Sequence, residues 1–391
     1  MLCLRFYKMH GKPSMFSAAL AEPAAVPFAS IFVPSPPLAR RELADGKRGH
    51  SVCSFNWELF IPKPPPFLGI LLVTTLPGVI SLIRLGYACI SVKLKNNPNK
   101  KTTVAQLNKL EPQERLRKLR QVLQTNFFNL MDLLAYNVEN RIFLYRLPSE
   151  FVPLATHPVA ADWDWAKEFS WDFQKAGEFI RNNGIRLTAH PGHFSILNSD
   201  KPSVVEATIA DFSYHAKVFD LLGLDDNSVL VTHVGGVFGD KASSLERFAV
   251  NFARLPEQVK RRLVVENDDT SFTMREVLEL CERLGVPMVF DLHHHHCHSD
   301  GEDWTEYLPR IIKTWGNRIP KMHMSSPKSA KEFRAHADKI DPDEFISFVS
   351  ALADYHVDIV LECKNKDDAL LSLRHHLKKR GVDVEVFAAV P

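Results

Sequence analysis

"RLVVENDDTSFTMREVLELCERLGVPMVFDLHH", residues 262 to 294, carries the reading that decides the fold. It opens on a near-continuous apolar run that ends in Glu266, passes through a helical pattern closing at Gly285, and returns to a second apolar run ending in Asp291 and His294. Short apolar runs without alternation are what strands look like when helices cover both faces of a parallel sheet. Gly285 stands where a helix C-cap is expected. The stretch is therefore read as strand, helix, strand, and the right-handed crossover rule makes it one βαβ unit.

The same pattern repeats in both directions. Before it come "IRLGYACIS" (83–91), "RIFLYRLP" (141–148), "IRLTAHPG" (185–192) and "SVLVTHVGG" (228–236); after it come "PKMHMSS" (320–326) and "VDIVLECK" (357–364). Helical patterns lie between, the longest from Thr103 to Arg141 and another over "SLERFAVNFARLP" (244–256), with Gly184 and Gly223 as further C-cap candidates. Eight strands alternating with helices over about 300 residues predict a single (β/α)₈ TIM barrel. An open doubly wound sheet is the alternative, but no GxGxxG or P-loop follows the first strand.

The 391 residues allow one to three domains, and the composition is that of an ordinary globular protein. A formal net charge of +2 excludes blanket neutralisation of phosphates, so contact with nucleic acid must come from a local patch. Six scattered cysteines without a CxxC pair predict reduced, intracellular thiols and a cytoplasmic protein. Residues 1–82 differ from the rest: they hold 11 of the 25 prolines and twice as many basic as acidic side chains. They are expected to be a disordered or loosely packed extension, or to reflect a start placed too far upstream, with the barrel domain spanning 83–391. The uncharged run of 67–83 is marginal for a membrane span and is interrupted by Pro77 and Gly78, so no membrane partner is expected.

In such a barrel the chemistry sits at the C-terminal ends of the strands. The third strand ends at His190, the fourth at His233, the fifth at Glu266, and the sixth at Asp291 and His294; the seventh carries Lys321 and His323, and the eighth Glu362. His336 follows the seventh strand and His157 the second, both on rim loops. One such residue alone is an ordinary satisfied polar group, but consecutive strands ending this way are not. Glu266, Asp291 and Glu362 converging at one mouth would repel one another, and burying them unpaired costs several kcal/mol. Divalent cations resolve this, and mixed imidazole and carboxylate donors suit Zn²⁺, Mn²⁺ or Fe²⁺. Multinuclear sites of this kind perform phosphoryl chemistry. Sugar isomerisation by two metals in a xylose-isomerase-like barrel, or a metal-binding barrel without activity, are the readings from other classes.

"RLGYACIS", "YRLPSEFVPLATHP", "LTAHPGHF", "VTHVGGVFGDK", "VVENDD", "FDLHHH", "PKMHMSS" and "VLECKNKD", in this order and spacing, resemble the UV damage endonucleases from about residue 83 to about 370. The resemblance implies a TIM barrel with three metal ions, usually Mn²⁺ (Zn²⁺ and Mg²⁺ being alternatives), that cuts damaged double-stranded DNA on the 5′ side of UV photoproducts. It also implies a monomer and a likeness to endonuclease IV, whose apurinic-site activity is the alternative within the same chemistry.

Carried over, His190, His233 and Glu266 hold one metal; Glu266 bridges to a second with Asp291, His323 and Glu362; His294 and His336 hold the third. Lys321 resembles the family's carboxylated lysine, and Tyr87 and His157 match further catalytic positions near phosphate. The family's Gln-Tyr, which wedges into the duplex, is His193-Phe194 here, and Ser91 stands where some members have Asn. Phe194 keeps the flat apolar body that fills the gap left by a flipped dinucleotide.

Within "MVFDLHHHHCHSD" (288–300), only Asp291 and His294 are expected at the metals. By alternation His293 should face the helical layer, and His295, His296 and His298 should be loop residues.

Overall fold

The computed structural model describes residues 73–74, 80–81, 83–192, 194–352 and 354–381. Eight strands form a closed, all-parallel barrel: β1 Ile83–Ala88, β2 Leu144–Leu147, β3 Arg186–Ala189, β4 Leu230–His233, β5 Leu263–Glu266, β6 Met288–Asp291, β7 Lys321–Met324 and β8 Val357–Leu361. They run in sequence order around the ring, with β8 pairing back onto β1. All eight expected strands are present, and closure leaves no strand of the barrel with an unpaired edge.

The outer layer consists of α1 Pro112–Glu139, α2 Ser170–Asn182, α3 Pro202–Leu221, α4 Lys241–Ala253, α5 Met274–Leu284, α6 Trp304–Lys313, α7 Pro342–Ala351 and α8 Lys366–Lys379. Gly184, Gly223 and Gly285 take positive φ at helix ends, the backbone state that glycine adopts without steric cost. The long helical pattern from Thr103 divides in two. A four-residue turn, Val104–Leu107, is closed by a Thr103–Gln106 capping box, and α1 restarts with Pro112 in its first turn. Proline lacks the N–H that a helix interior needs but fits the first turn, where that N–H has no partner.

Strand alternation sorts side chains between the barrel interior and the helical layer. At the bottom of the interior, Asp358 on β8 receives two bonds from Arg84 on β1, at 2.6 and 2.7 Å, and one from Arg186 on β3 at 2.7 Å. Because β3 and β8 are not neighbours, this triad crosses the lumen. The Arg186 guanidinium also lies over the Trp315 ring, 5.7 Å from its centre. Above it, Val231, Val264 and Val289 pack in one interior cluster and Ala88, Leu144 and Val360 in another. The interior is thus a filled core that supports the mouth. Gly86 is part of that packing: a Cβ there would overlap the Leu144 carbonyl and side chain. Gly86→Ala is expected to lower stability by about 1–3 kcal/mol, the usual cost of overpacking, and a urea melt measures it.

Among the described residues no helix is long and apolar enough to cross a membrane. Within the apolar run of 67–83, backbone at Val73–Thr74 pairs antiparallel with Ile80–Ser81. The expectation of a disordered extension falls on residues that otherwise lie outside those described.

Candidate active site

Register brings the strand ends to one level. His233 on β4 pairs with Glu266 on β5, and Asp291 on β6 pairs with His323 on β7. His190 follows β3 by one residue and Glu362 follows β8 by one.

Glu266 is the centre of what results, with 1% of its surface exposed. Its Oε1 lies 2.7 Å from His323 Nδ1 and 3.6 Å from His294 Nδ1. Its Oε2 lies 3.3 Å from His190 Nε2 and 3.5 Å from His233 Nε2. Glu362 reaches His323 Nδ1 at 3.2 Å. Three groups of metal-capable donors share this carboxylate: His190–His233–Glu266, Glu266–His323–Glu362 and Glu266–Asp291–His294, the donor atoms of each within 4.8 Å of one another.

The electrostatics are those of a compact anionic centre. Burial works to protonate Glu266, but His323, His233 and His190 hold its carboxyl well below the ordinary range. Glu362 is likewise depressed against burial, chiefly by Arg146 and then His323. Burial brings His190 down to about 4. His294 goes the other way, to about 9, because Asp291, Glu266 and Glu362 outweigh its burial. Lys321 is buried with Nζ against His323 Nε2, and desolvation reinforced by Arg146 brings its amine down to about 7.

Several expected positions are corrected. Among the candidate donor groups of the described residues, Asp291 falls with Glu266 and His294, while its register partner is His323. Asp291 caps the short helix Leu292–Cys297, its carboxylate accepting from the His294 N–H at 2.8 Å, so these two residues share one helical turn. That helix also ends the strand alternation. His293 is fully buried beside His336, and His295 packs on Phe290 instead of lying in a loop.

Tyr87 is not at the mouth. Alternation turns it toward α1, where its hydroxyl donates to Asn137 Oδ1 at 2.8 Å in a fully buried layer, so the expected phosphate contact is withdrawn. Ser91 is 2% exposed and donates to Asp367 Oδ2 at 2.5 Å; it anchors the β1–α1 loop and has no surface for DNA.

His336 lies 6.3 Å ring to ring from His294, with Nδ1 2.6 Å from Ser325 Oγ, and belongs to none of the three groups. His157 is exposed on the rim, its Nδ1 accepting from the Val159 N–H. Phe194 is 91% exposed on the β3–α3 loop, and His193 lies outside the described residues.

Two participants were missed. Arg146, on β2, forms a partly buried ion pair with Glu362. Its signal was available, because Leu144 and Arg146 share one face of a strand whose interior side is otherwise apolar. Asn267 staples β5 to β6, donating to the Asp291 carbonyl at 3.0 Å and accepting from its N–H at 2.9 Å. Its own carbonyl accepts from His294 Nδ1 at 3.0 Å, which fixes that ring.

A closed (β/α)₈ barrel whose mouth gathers histidines and carboxylates around one shared glutamate is the architecture of a metal-dependent barrel enzyme. A family model described as UV-endonuclease UvdE matches residues 83–391. The UV DNA damage endonuclease of Bacillus cereus (strain ATCC 10987 / NRS 248) is 40% identical over 307 residues, covering 77% of this chain and 96% of that one. The UV DNA damage endonuclease of Bacillus anthracis is 39% identical over the same length and coverage. The crystal structure of SacUVDE superposes with a TM-score of 0.69 at 32% identity, over 77% of this chain and 99% of that one. The chain belongs to the UvdE family of UV endonucleases.

Proposed function

We propose that this protein is a divalent-metal-dependent endonuclease that hydrolyses the backbone of UV-damaged duplex DNA on the 5′ side of the lesion, acting as a single chain inside the cell. The observation that carries the reading is the sharing of buried Glu266 by three donor groups at the mouth of a UvdE-family barrel.

The residues fit metal ions. Glu266 Oε2 and Asp291 Oδ2 are buried acceptors that make no hydrogen bond with any described residue, a costly state that a cation relieves. Three ions, Mn²⁺ before Zn²⁺ or Mg²⁺, would be held by His190, His233 and Glu266; by Glu266, His323 and Glu362; and by Asp291, His294 and Glu266, with His336 approaching from its loop. Bound there, divalent ions supply Lewis acidity to the phosphoryl group and lower the pKa of water enough to make it a nucleophile near neutral pH.

The chain's own residues do the rest. Arg146 holds Glu362 deprotonated and oriented. Lys321, its amine near neutrality, is suited to carboxylation, which would replace an ammonium beside the cluster with another carboxylate. Phe194, exposed beside His193, fills the gap left when a damaged dinucleotide leaves the stack. His157, exposed on the rim, would meet a phosphate of the bound duplex.

Incubation with Mn²⁺ and an end-labelled, UV-irradiated duplex is expected to yield nicks 5′ of the dimers and none in unirradiated DNA. Cutting confined to abasic sites would make the enzyme an apurinic-site endonuclease, and no cutting at all would sink the proposal. The rate at subsaturating DNA is expected to fall more than about tenfold between about 50 and 200 mM salt, as released counterions lose their entropic advantage. A flat profile would argue against a duplex substrate.

A further inference from the structure

Of the seven exposed large apolar side chains among the described residues, four stand on loops at the catalytic mouth: Val92, Phe194, Val237 and Phe333. Single exposed apolar residues are ordinary on any protein surface. The placement of the two aromatics is not. Phe194 follows β3 and Phe333 follows β7, which are four strands apart in a ring of eight, so the loops that carry them leave opposite sides of the barrel.

The loop that presents Phe333 is strapped at its base. Pro327 and His336 form an isolated bridge, Lys328 N donates to the Ala335 carbonyl at 2.7 Å, and Ala337 N donates to the Ser326 carbonyl at 2.8 Å. Ser326 Oγ donates to Glu344 Oε2 on α7 at 2.5 Å. Beneath the tip, buried His293 turns Nε2 to the Arg334 carbonyl at 3.2 Å, its ring 6.1 Å from that of Phe333 and 5.3 Å from that of His336. The first histidine of the His-rich run thus fastens the loop. With this support Phe333 still leaves 41% of its surface in water. It is flanked by exposed Lys331 and Arg334, which form no ion pair among the described residues, while Lys328 is paired with Glu332.

We propose that Phe333 is a second base-contacting ring, meeting the DNA substrate from the side of the mouth opposite Phe194 while Lys331 and Arg334 engage the adjoining phosphates. An aromatic ring between unpaired cations is the composition that binds a nucleic-acid strand by stacking and backbone attraction together. Two opposed rings also explain how the mouth can hold a distorted duplex across the cluster, since an apolar side chain entering a base step stabilises the kink it fills.

The inference rests on the endonuclease reading, and the test separates the two. Wild type, Phe333→Ala and Phe333→Trp are compared on an end-labelled duplex carrying one thymine dimer, with 2-aminopurine beside the lesion, and metal content and melting temperature are measured for each. Phe333→Ala is expected to lower kcat/KM about tenfold, near the low end for loss of one base–aromatic stack, with the change in KM and in fluorescence quenching. Phe333→Trp should keep both, and metal content should be unchanged. Incision and quenching by Phe333→Ala within twofold of wild type would overturn the proposal. So would a loss that tracks lost metal or a lower melting temperature, which would make the ring a packing partner of His293. If wild type does not incise, the endonuclease reading fails, while weaker binding of the dimer duplex by Phe333→Ala would still support the stacking role.

Discussion

Glu266→Gln is expected to cut incision of UV-irradiated duplex by about a thousandfold and to remove metal, while leaving the fold intact. Glutamine keeps the shape and removes the charge that all three donor groups share. Lewis-acid stabilisation of a phosphoryl transition state contributes several kcal/mol, and each 1.36 kcal/mol is a factor of ten in rate. Elemental analysis and a single-turnover assay read the two effects, with circular dichroism as the control for folding. A variant that keeps its metal and more than a tenth of the rate would show that the centre does not depend on Glu266.

The second large effect is on stability, at the other end of the barrel. Asp358→Asn is expected to cost about 3–5 kcal/mol, the range for breaking a buried ion pair, because it leaves Arg84 and Arg186 without their shared anion across the lumen. For a domain of this size that corresponds to a melting temperature lower by about 10 °C.

The effect has a pH signature. Burial alone would raise the Asp358 carboxyl, but the two guanidiniums hold it below its ordinary value. A depressed carboxyl contributes fully above its unfolded pKa of about 3.9 and loses that contribution as pH falls through the lower folded value. The gap between wild type and variant should therefore be widest at neutral pH and narrow below about pH 4. Equal melting at pH 7 would mean that the triad carries no net stability.

The six apolar runs outside the opening stretch show how much of the fold was legible. Each of the eight strands is a short segment buried on both faces, a local property written in consecutive residues. The placement of these side chains is local too: His190, His233, Glu266, Asp291, His294, His323 and Glu362 reach one mouth because each lies at, or within three residues of, the C-terminal end of a strand of known direction. Other assignments failed where locality ends. Tyr87 sits in the right strand, but alternation sends it to α1. Ser91 lies beyond the strand, and its environment is set by Asp367, 276 residues away.

The sequence by itself determined a (β/α)₈ barrel with a histidine and carboxylate mouth, because strand periodicity and buried charge are properties of neighbouring residues. Only the tertiary structure decided that Glu266 lies within reach of all three donor groups, that Asp291 and His294 share one of them, and that Arg146 pairs with Glu362. Those facts follow from inter-strand register, from closure of β8 onto β1, and from loops strapped by distant partners. Each pairs residues far apart in the chain, and no local pattern encodes which distant partner is met.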